Sequence, residues 1–182
     1  METMTALPRG REFTRDDLAT MPDDGNRYEL IDGLLVVSPA PTPRHQGVIT
    51  ELLFRLRSAC PEDLRVRCAP LAVVLSEHTV LQPDLLVARP GDFSVRDLPK
   101  APVLAVEVLS ASTRLYDLQL KRAHLEQAGC PHYWVVDPLV PSVIAWELVD
   151  GSYRVVAEVS GEAQFRTSRP FPVDFRPAEL ID

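Results

Sequence analysis

Two short apolar runs, each interrupted by a single carboxylate, constrain this chain more than any other feature. The first opens at Pro83-Asp84 and continues Leu85-Leu86-Val87-Ala88; the second is Val103-Leu104-Ala105-Val106-Glu107-Val108-Leu109. Aliphatic and β-branched runs bounded by turn formers read as strands buried on both faces. A carboxylate in such a strand is costly to bury unless a cation pairs with it or a metal binds it. If the two strands are neighbours, Asp84 and Glu107 share one cation.

A helix is predicted directly after the Glu107 strand. Ser110, Ser112 and Thr113 are N-cap candidates, and Gly129 supplies a C′ stop. Asp117 and Lys121 fall on one helical face. Leu118, Leu125 and Ala128 are expected to face the core, flanked by Leu120 and Ala123. Because the helix leaves from the end of the strand, its first turns can aim Asp117 and Lys121 back at the carboxylates. Composition singles out the lysine: Lys100 and Lys121 are the only lysines among 19 basic residues. An ammonium can approach a phosphate or a water where a planar guanidinium cannot. Chance is the rival explanation, since two lysines must fall somewhere.

Several segments together resemble the small stand-alone restriction-endonuclease-like proteins of the PD-(D/E)XK nuclease superfamily. They are Arg27-Tyr28-Glu29-Leu30-Ile31-Asp32-Gly33, Pro39-Ala40-Pro41 with His45, Gln82-Pro83-Asp84, Glu107 to Arg114, Asp117 with Lys121, and Tyr133-Trp134-Val135-Val136-Asp137-Pro138. The resemblance spans Phe13 to Leu148. It implies a restriction-endonuclease-like α/β fold and a metal-dependent endonuclease that hydrolyses nucleic-acid phosphodiester bonds, with DNA the expected substrate. It further implies Mg²⁺, replaceable by Mn²⁺, on Asp84, Glu107 and the backbone carbonyl of Val108. Glu29 is a third carboxylate at the rim, and His45 and Arg114 are candidate substrate contacts. The superfamily places a lysine two residues after the glutamate, where this chain has Leu109. The resemblance implies that the lysine has migrated to Lys121, with Asp117 orienting it. Many such nucleases act as two-fold dimers, so a homodimer is expected.

The rest of the chain fits an α/β domain. Residues 1–12 read as a loose arm before a short helix capped by Thr14. Tyr28 to Ser38 reads as a hairpin about Asp32-Gly33. Val48, Ile49, Leu52, Leu53 and Leu56 give a helix over Arg44 to Ala59 one buried face. Strands are expected at Leu64 to Cys68, Leu71 to Leu75, His132 to Asp137, Val143 to Leu148 and Tyr153 to Val159, with Phe171 to Asp182 closing a sheet edge. The sum is a central mixed sheet flanked by helices, with additional hairpins, in one domain over residues 1–182.

Composition excludes some functions. No apolar run approaches a membrane span, and Met1-Glu2-Thr3-Met4 lacks the basic and apolar regions of a signal peptide, so a cytoplasmic location is expected. Cys60, Cys68 and Cys130 have no C-x-x-C pairing, and the four histidines do not supply zinc spacing; the thiols read as reduced and mostly buried. A net charge of −7 argues against indiscriminate nucleic-acid binding. A local basic strip remains open, with Arg55, Arg57, Arg65, Arg67, Arg114 and Arg122 as candidates.

Two other classes compete. One is a catalytically inactive nucleic-acid- or partner-binding module on the same fold. The other is purely structural: Asp84 in a Pro-Asp turn, Glu107 paired with an arginine, Glu29 a surface strand residue and His45 a helix-start residue. Lys100→Arg is expected to leave melting temperature and any hydrolytic activity at parental level, Lys121→Arg to cleave poorly, and Lys121→Ala to lose cleavage while keeping its fold and metal binding nearly intact. Parallel melting curves and cleavage assays of the three variants check this.

Overall fold

The computed structural model describes residues 11–110 and 114–181. The strands are β1 (Arg27–Ile31), β2 (Leu34–Ser38), β3 (Arg65–Cys68), β4 (Val73–Val74), β5 (Val80–Leu81), β6 (Leu85–Ala88), β7 (Leu104–Val108), β8 (His132–Asp137), β9 (Ser142–Val149), β10 (Ser152–Ser160), β11 (Phe165–Thr167) and β12 (Val173–Phe175). A six-stranded sheet runs β10-β9-β8-β7-β6-β3, a four-stranded sheet runs β2-β1-β5-β4, and β11 pairs with β12. β7 and β8 are parallel and their other neighbours antiparallel, so the large sheet is mixed. The parallel pair requires a crossover, which the helical segment 114–127 supplies.

Period 2 along β7 decides what each face of the large sheet meets. Leu104, Val106 and Val108 join a core with Val48, Leu52 and Leu56 of helix α2 (Pro43–Ala59). Thr42 caps α2, its hydroxyl accepting from the His45 amide at 3.3 Å, and Pro43 takes the first position, where no amide hydrogen is needed. Phe165, Phe171, Val173, Phe175 and Leu180 close the same core, with Phe165 edge-on to Trp134 at 5.1 Å. Ala105 and Glu107 face the other way, where Ile31 and Leu81 of the small sheet pack with Leu125, Tyr133 and Trp146. Covered on both faces, β8 buries all six residues.

The hairpin about Asp32-Gly33 forms as expected, with φ of 51° and 74° at the turn, and Asp150-Gly151 repeats it at 52° and 79°. Thr14 caps α1 (Arg15–Leu18), its amide bonded to the Asp17 carboxylate at 2.9 Å. Gly129, at φ 78°, stops the crossover helix: its amide and that of Cys130 reach back to Glu126 and Leu125.

Four expectations change. Only Val73–Val74 of the Leu71 to Leu75 stretch is a strand, and it joins the small sheet. The C-terminal stretch does not extend an edge; β12 pairs with β11 and covers a face, where Val173 and Phe175 join the core over α2. Ala128 is exposed, since the helix ends before its last turn reaches the core. Only Cys130 of the three thiols is buried. Ser112 and Thr113 lie outside the described residues, as do residues 1–10 of the expected arm.

Two turn glycines separate backbone strain from crowding. A Cβ on Gly33 would sit 2.7 Å from the Cβ of Glu12, whereas one on Gly151 would meet nothing within 4 Å. Gly151→Ala is expected to cost about 1 kcal/mol for its positive φ alone. Gly33→Ala should cost at least about 1 kcal/mol more, because the Glu12 backbone must also move. Urea denaturation of both variants gives the difference.

Candidate active site

The register of the large sheet builds the site. Leu85 pairs with Val106, so Asp84, one residue before β6, stands beside Glu107 on the face that meets the small sheet. Asp84 accepts from the Val108 amide through Oδ2 and from Arg27 Nη1 through Oδ1, both at 2.8 Å. The His45 ring reaches in from the first turn of α2. Its Nε2 lies 2.8 Å from the Val108 carbonyl and 3.3 Å from Asp84 Oδ2.

The second half of the site is a buried ammonium. Tyr116–Lys121 is a π-helical stretch that continues into α3 (Arg122–Gln127). Such stretches are uncommon and concentrate at functional sites. Lys121 Nζ lies 3.1 Å from Glu29 Oε1, 3.2 Å from Glu107 Oε1 and 3.1 Å from Asp117 Oδ1. The lysine is 1% exposed and the two glutamates 0%. The Tyr133 hydroxyl donates to the Asp117 carbonyl at 2.7 Å and fixes the turn that carries both Asp117 and Lys121.

Charges do not balance here. Glu29, Asp84, Glu107 and Asp117 face two permanent cations, Arg27 and Lys121. Burial pushes Glu107 well above its ordinary value of 4.5; Lys121 opposes that shift, and Asp117, Asp84 and Glu29 add to it. Burial would raise Asp84 too, but the hydrogen bond from His45, the Arg27 charge and the Val108 amide outweigh it and hold Asp84 at about 2. Burial would lower Lys121, yet Glu107, Glu29 and Asp117 raise it, so it is an ammonium at neutral pH.

The donor set suits a small hard cation. Glu29 Oε2 and Glu107 Oε2 are buried and receive no hydrogen bond among the described residues. Among the described residues, with all four carboxylates ionised, the acids outnumber Arg27 and Lys121 by two, a surplus that one proton would reduce and one divalent ion would offset. No group of three His, Cys, Asp or Glu side chains among the described residues is arranged to hold a metal, so a cage of protein ligands is absent there. Mg²⁺ needs no cage: it takes one or two carboxylates and keeps its waters. Asp84, Glu107 and the Val108 carbonyl are the oxygens that the resemblance assigns to such an ion, and they stand together on this face. His45 Nε2 contacts two of these three, so a cation shared between them requires the ring to yield.

Asp84, Glu107, Asp117, Lys121, Glu29, His45 and the Val108 carbonyl therefore converge. Glu29 is fully buried, not a surface residue, and Glu107 pairs with lysine, not arginine. Arg114 stands apart from them, 2.5 Å from Asp137 Oδ2 at the end of β8. Two participants escaped the reading. Gln82 gives its amide to Glu29 Oε1 at 2.7 Å, a backbone contact that no side-chain pattern reveals. Arg27 lies two residues before Glu29 on β1, and strand period alone would have put it on the same face.

The chain is similar to known proteins in the same sense. A family model described as "Uma2: Putative restriction endonuclease" matches residues 15–180. A crystal structure from Anabaena variabilis, described as a putative nuclease belonging to DUF820, superposes with a TM-score of 0.68. The two sequences are 18% identical over 85% of this chain and 89% of that one, so the likeness is one of fold. No curated protein matches. The restriction-endonuclease-like fold expected from the sequence is thus met.

Glu107 binds its proton more tightly in the folded chain than in the unfolded one. Folding takes up that proton as pH rises past 4.5, and stability falls until the raised value is passed. Asp84 has the opposite sign, losing stability only as pH falls from 3.8 towards about 2, well below that window. Glu107→Gln is expected to flatten the decline of metal-free stability between about pH 5 and pH 8. Lys121 keeps two carboxylates in the variant. Denaturation in EDTA across that range checks this; a variant that keeps the parental slope counts against the assignment.

Proposed function

This chain belongs to the Uma2 family, whose model covers most of its length, and on that premise we propose that it is a Mg²⁺-dependent endonuclease acting on DNA. The observation that carries the reading is Lys121, buried among three carboxylates on the face where Asp84 and Glu107 stand side by side. A structural role explains one buried ion pair; it does not explain four buried carboxylates around two cations, with Glu29 Oε2 and Glu107 Oε2 receiving no hydrogen bond among the described residues.

Asp84, Glu107 and the Val108 carbonyl would hold the cation, which when bound acidifies a water and neutralises charge on the phosphate. Lys121 remains an ammonium, so it donates and does not act as a base. It holds the oxygen of the attacking water and then faces the charge that builds on the phosphoryl oxygens. Asp117 and Glu29 fix its direction through contacts of 3.1 Å each. Arg27, one-fifth exposed, is the most open of the site's charged side chains and the first to meet an entering phosphate. His45 positions Asp84. We further propose a two-fold dimer, each protomer addressing one strand, in the cytoplasm. No helix among the described residues is long and apolar enough to cross a membrane.

Cleavage of plasmid and of single-stranded DNA with and without Mg²⁺ tests the reading. The parent is expected to cut only with metal, and Glu107→Gln to lose at least about a hundredfold in rate. Mg²⁺ at about ten times its dissociation constant should stabilise the parent by about 1.4 kcal/mol and leave Glu107→Gln unshifted. Metal-independent cutting, or an unaffected variant, would overturn the assignment.

A further inference from the structure

We propose that a groove along the outer edge of the large sheet is a phosphate-backbone track that carries the flank of a nucleic-acid strand away from the site. The proposal rests on the nuclease reading above and adds to it the surface that holds the substrate.

The groove has a volume of about 420 Å³ and lies between β3 and the turn that follows β6; Arg65, Arg67, Cys68, Phe93, Arg96 and Asp97 are among its lining residues. It is basic in a chain whose net charge is −7. Among the described residues, none of the three arginines pairs with a carboxylate. Arg65 Nη1 donates to the Glu62 and Leu64 carbonyls, both at 2.7 Å, and Arg67 Nη1 to the Val66 carbonyl at 2.9 Å. Neutral backbone oxygens thus pin these guanidinium groups without cancelling their charge. The Arg67 guanidinium lies 5.6 Å over the Phe93 ring, which holds it further. The one acid in the groove is already neutralised: Asp97 accepts from Arg15 at 2.5 Å and from the Ser94 hydroxyl at 2.7 Å.

Register ties the groove to the site. Arg67 pairs with Leu86 and Arg65 with Ala88, so both arginines project from the sheet face that carries Asp84. Arg67 is one strand across from β6 and two residues along from Asp84, about 8 Å by strand geometry. The Ala69 amide, one residue beyond β3, bonds the carbonyl of Asp84 itself at 3.0 Å. Two arginines two residues apart on one strand present charges about 7 Å apart, a row suited to a polymer of phosphates more than to one anion. Guanidinium groups grip phosphate through paired hydrogen bonds. An acidic protein gains local affinity this way without binding nucleic acid everywhere on its surface.

Fluorescence anisotropy of a short fluorescein-labelled DNA oligonucleotide, in EDTA and over a range of salt, tests the track. The full chain is compared with an Arg65→Gln/Arg67→Gln/Arg96→Gln variant and with a milder Arg67→Gln/Arg96→Gln variant, should the first melt early. Arg154→Gln, far along the sheet, is the control. The parent is expected to bind, and the triple variant to bind at least about tenfold more weakly with a salt slope shallower by about 2 to 3. The Mg²⁺ thermal shift should persist in every arginine variant, because none of them touches the site. Equal affinity and slope in parent and triple variant overturn the proposal, as does a parent that binds no oligonucleotide at low salt. Competition by polyglutamate as effective as that by unlabelled DNA overturns it too. The nuclease reading fails on a different result, the absence of metal-dependent cleavage.

Discussion

One buried ammonium joins the parts of this molecule. Lys121 is 1% exposed and lies within 3.2 Å of carboxylates from three places: Glu29 on the small sheet, Glu107 on the large sheet and Asp117 on its own helix. An ammonium in that position is tolerable only while its anions surround it, and the anions only while it is there. The small sheet, the large sheet and the crossover helix are therefore held to one arrangement by charge as well as by the apolar contacts of Ile31, Leu81, Leu125 and Tyr133. Removing the lysine would strand several carboxylates at once, a loss of the order of 3–5 kcal/mol. Chemistry and architecture meet on the same side chain.

Much of this was legible because the site breaks a strong rule. Aliphatic strands do not carry carboxylates without cause, so Asp84 and Glu107 stood out against Leu85-Leu86-Val87 and Ala105-Val106. Lys121 stood out because the chain otherwise uses arginine almost throughout. Strand period and turn chemistry located both Asp-Gly hairpins and the buried face of α2 for the same reason: each depends on local pattern. What escaped depends on partners distant in sequence or on backbone geometry. The π-helical turn at Tyr116–Lys121 keeps Asp117 and Lys121 on one side as an ordinary helix does, so no side-chain pattern separates the two. β12 looked like an edge strand because nothing in Val173-Asp174-Phe175 tells that β11 will pair with it over α2. Arg27 precedes Glu29 by one strand period on β1, so local pattern alone places it on the same face.

On the proposed reading, the distribution of charge lets an acidic protein handle an anionic polymer. Four of its 26 acidic residues are buried in the cluster, where they face inward to Arg27 and Lys121 and contribute little to what a passing strand meets. The unpaired arginines lie outside, along β3. Net charge, the quantity that argued against nucleic acid, sums two populations that act in different places. On the proposed reading the outer population steers and holds a strand, while the inner one sets the chemistry.

The inner surplus carries a cost that explains its own selectivity. Lys121 and Arg27 offset part of the repulsion among Glu29, Asp84, Glu107 and Asp117; burial first, and then the neighbouring carboxylates, raise Glu107, while His45 and Arg27 keep Asp84 ionised. The two central carboxylates, side by side on neighbouring strands, are thus driven apart in proton affinity by their different partners. On the proposed reading a proton and a divalent ion compete for the same excess charge. The other four residues of the strand are all buried and apolar, so the carboxylate forgoes apolar packing there and recovers part of it through Lys121 at 3.2 Å. A strand so well suited to packing keeps its one charged residue where Lys121 meets it at 3.2 Å, so the position serves the architecture through that ion pair and, on the proposed reading, the cation as well.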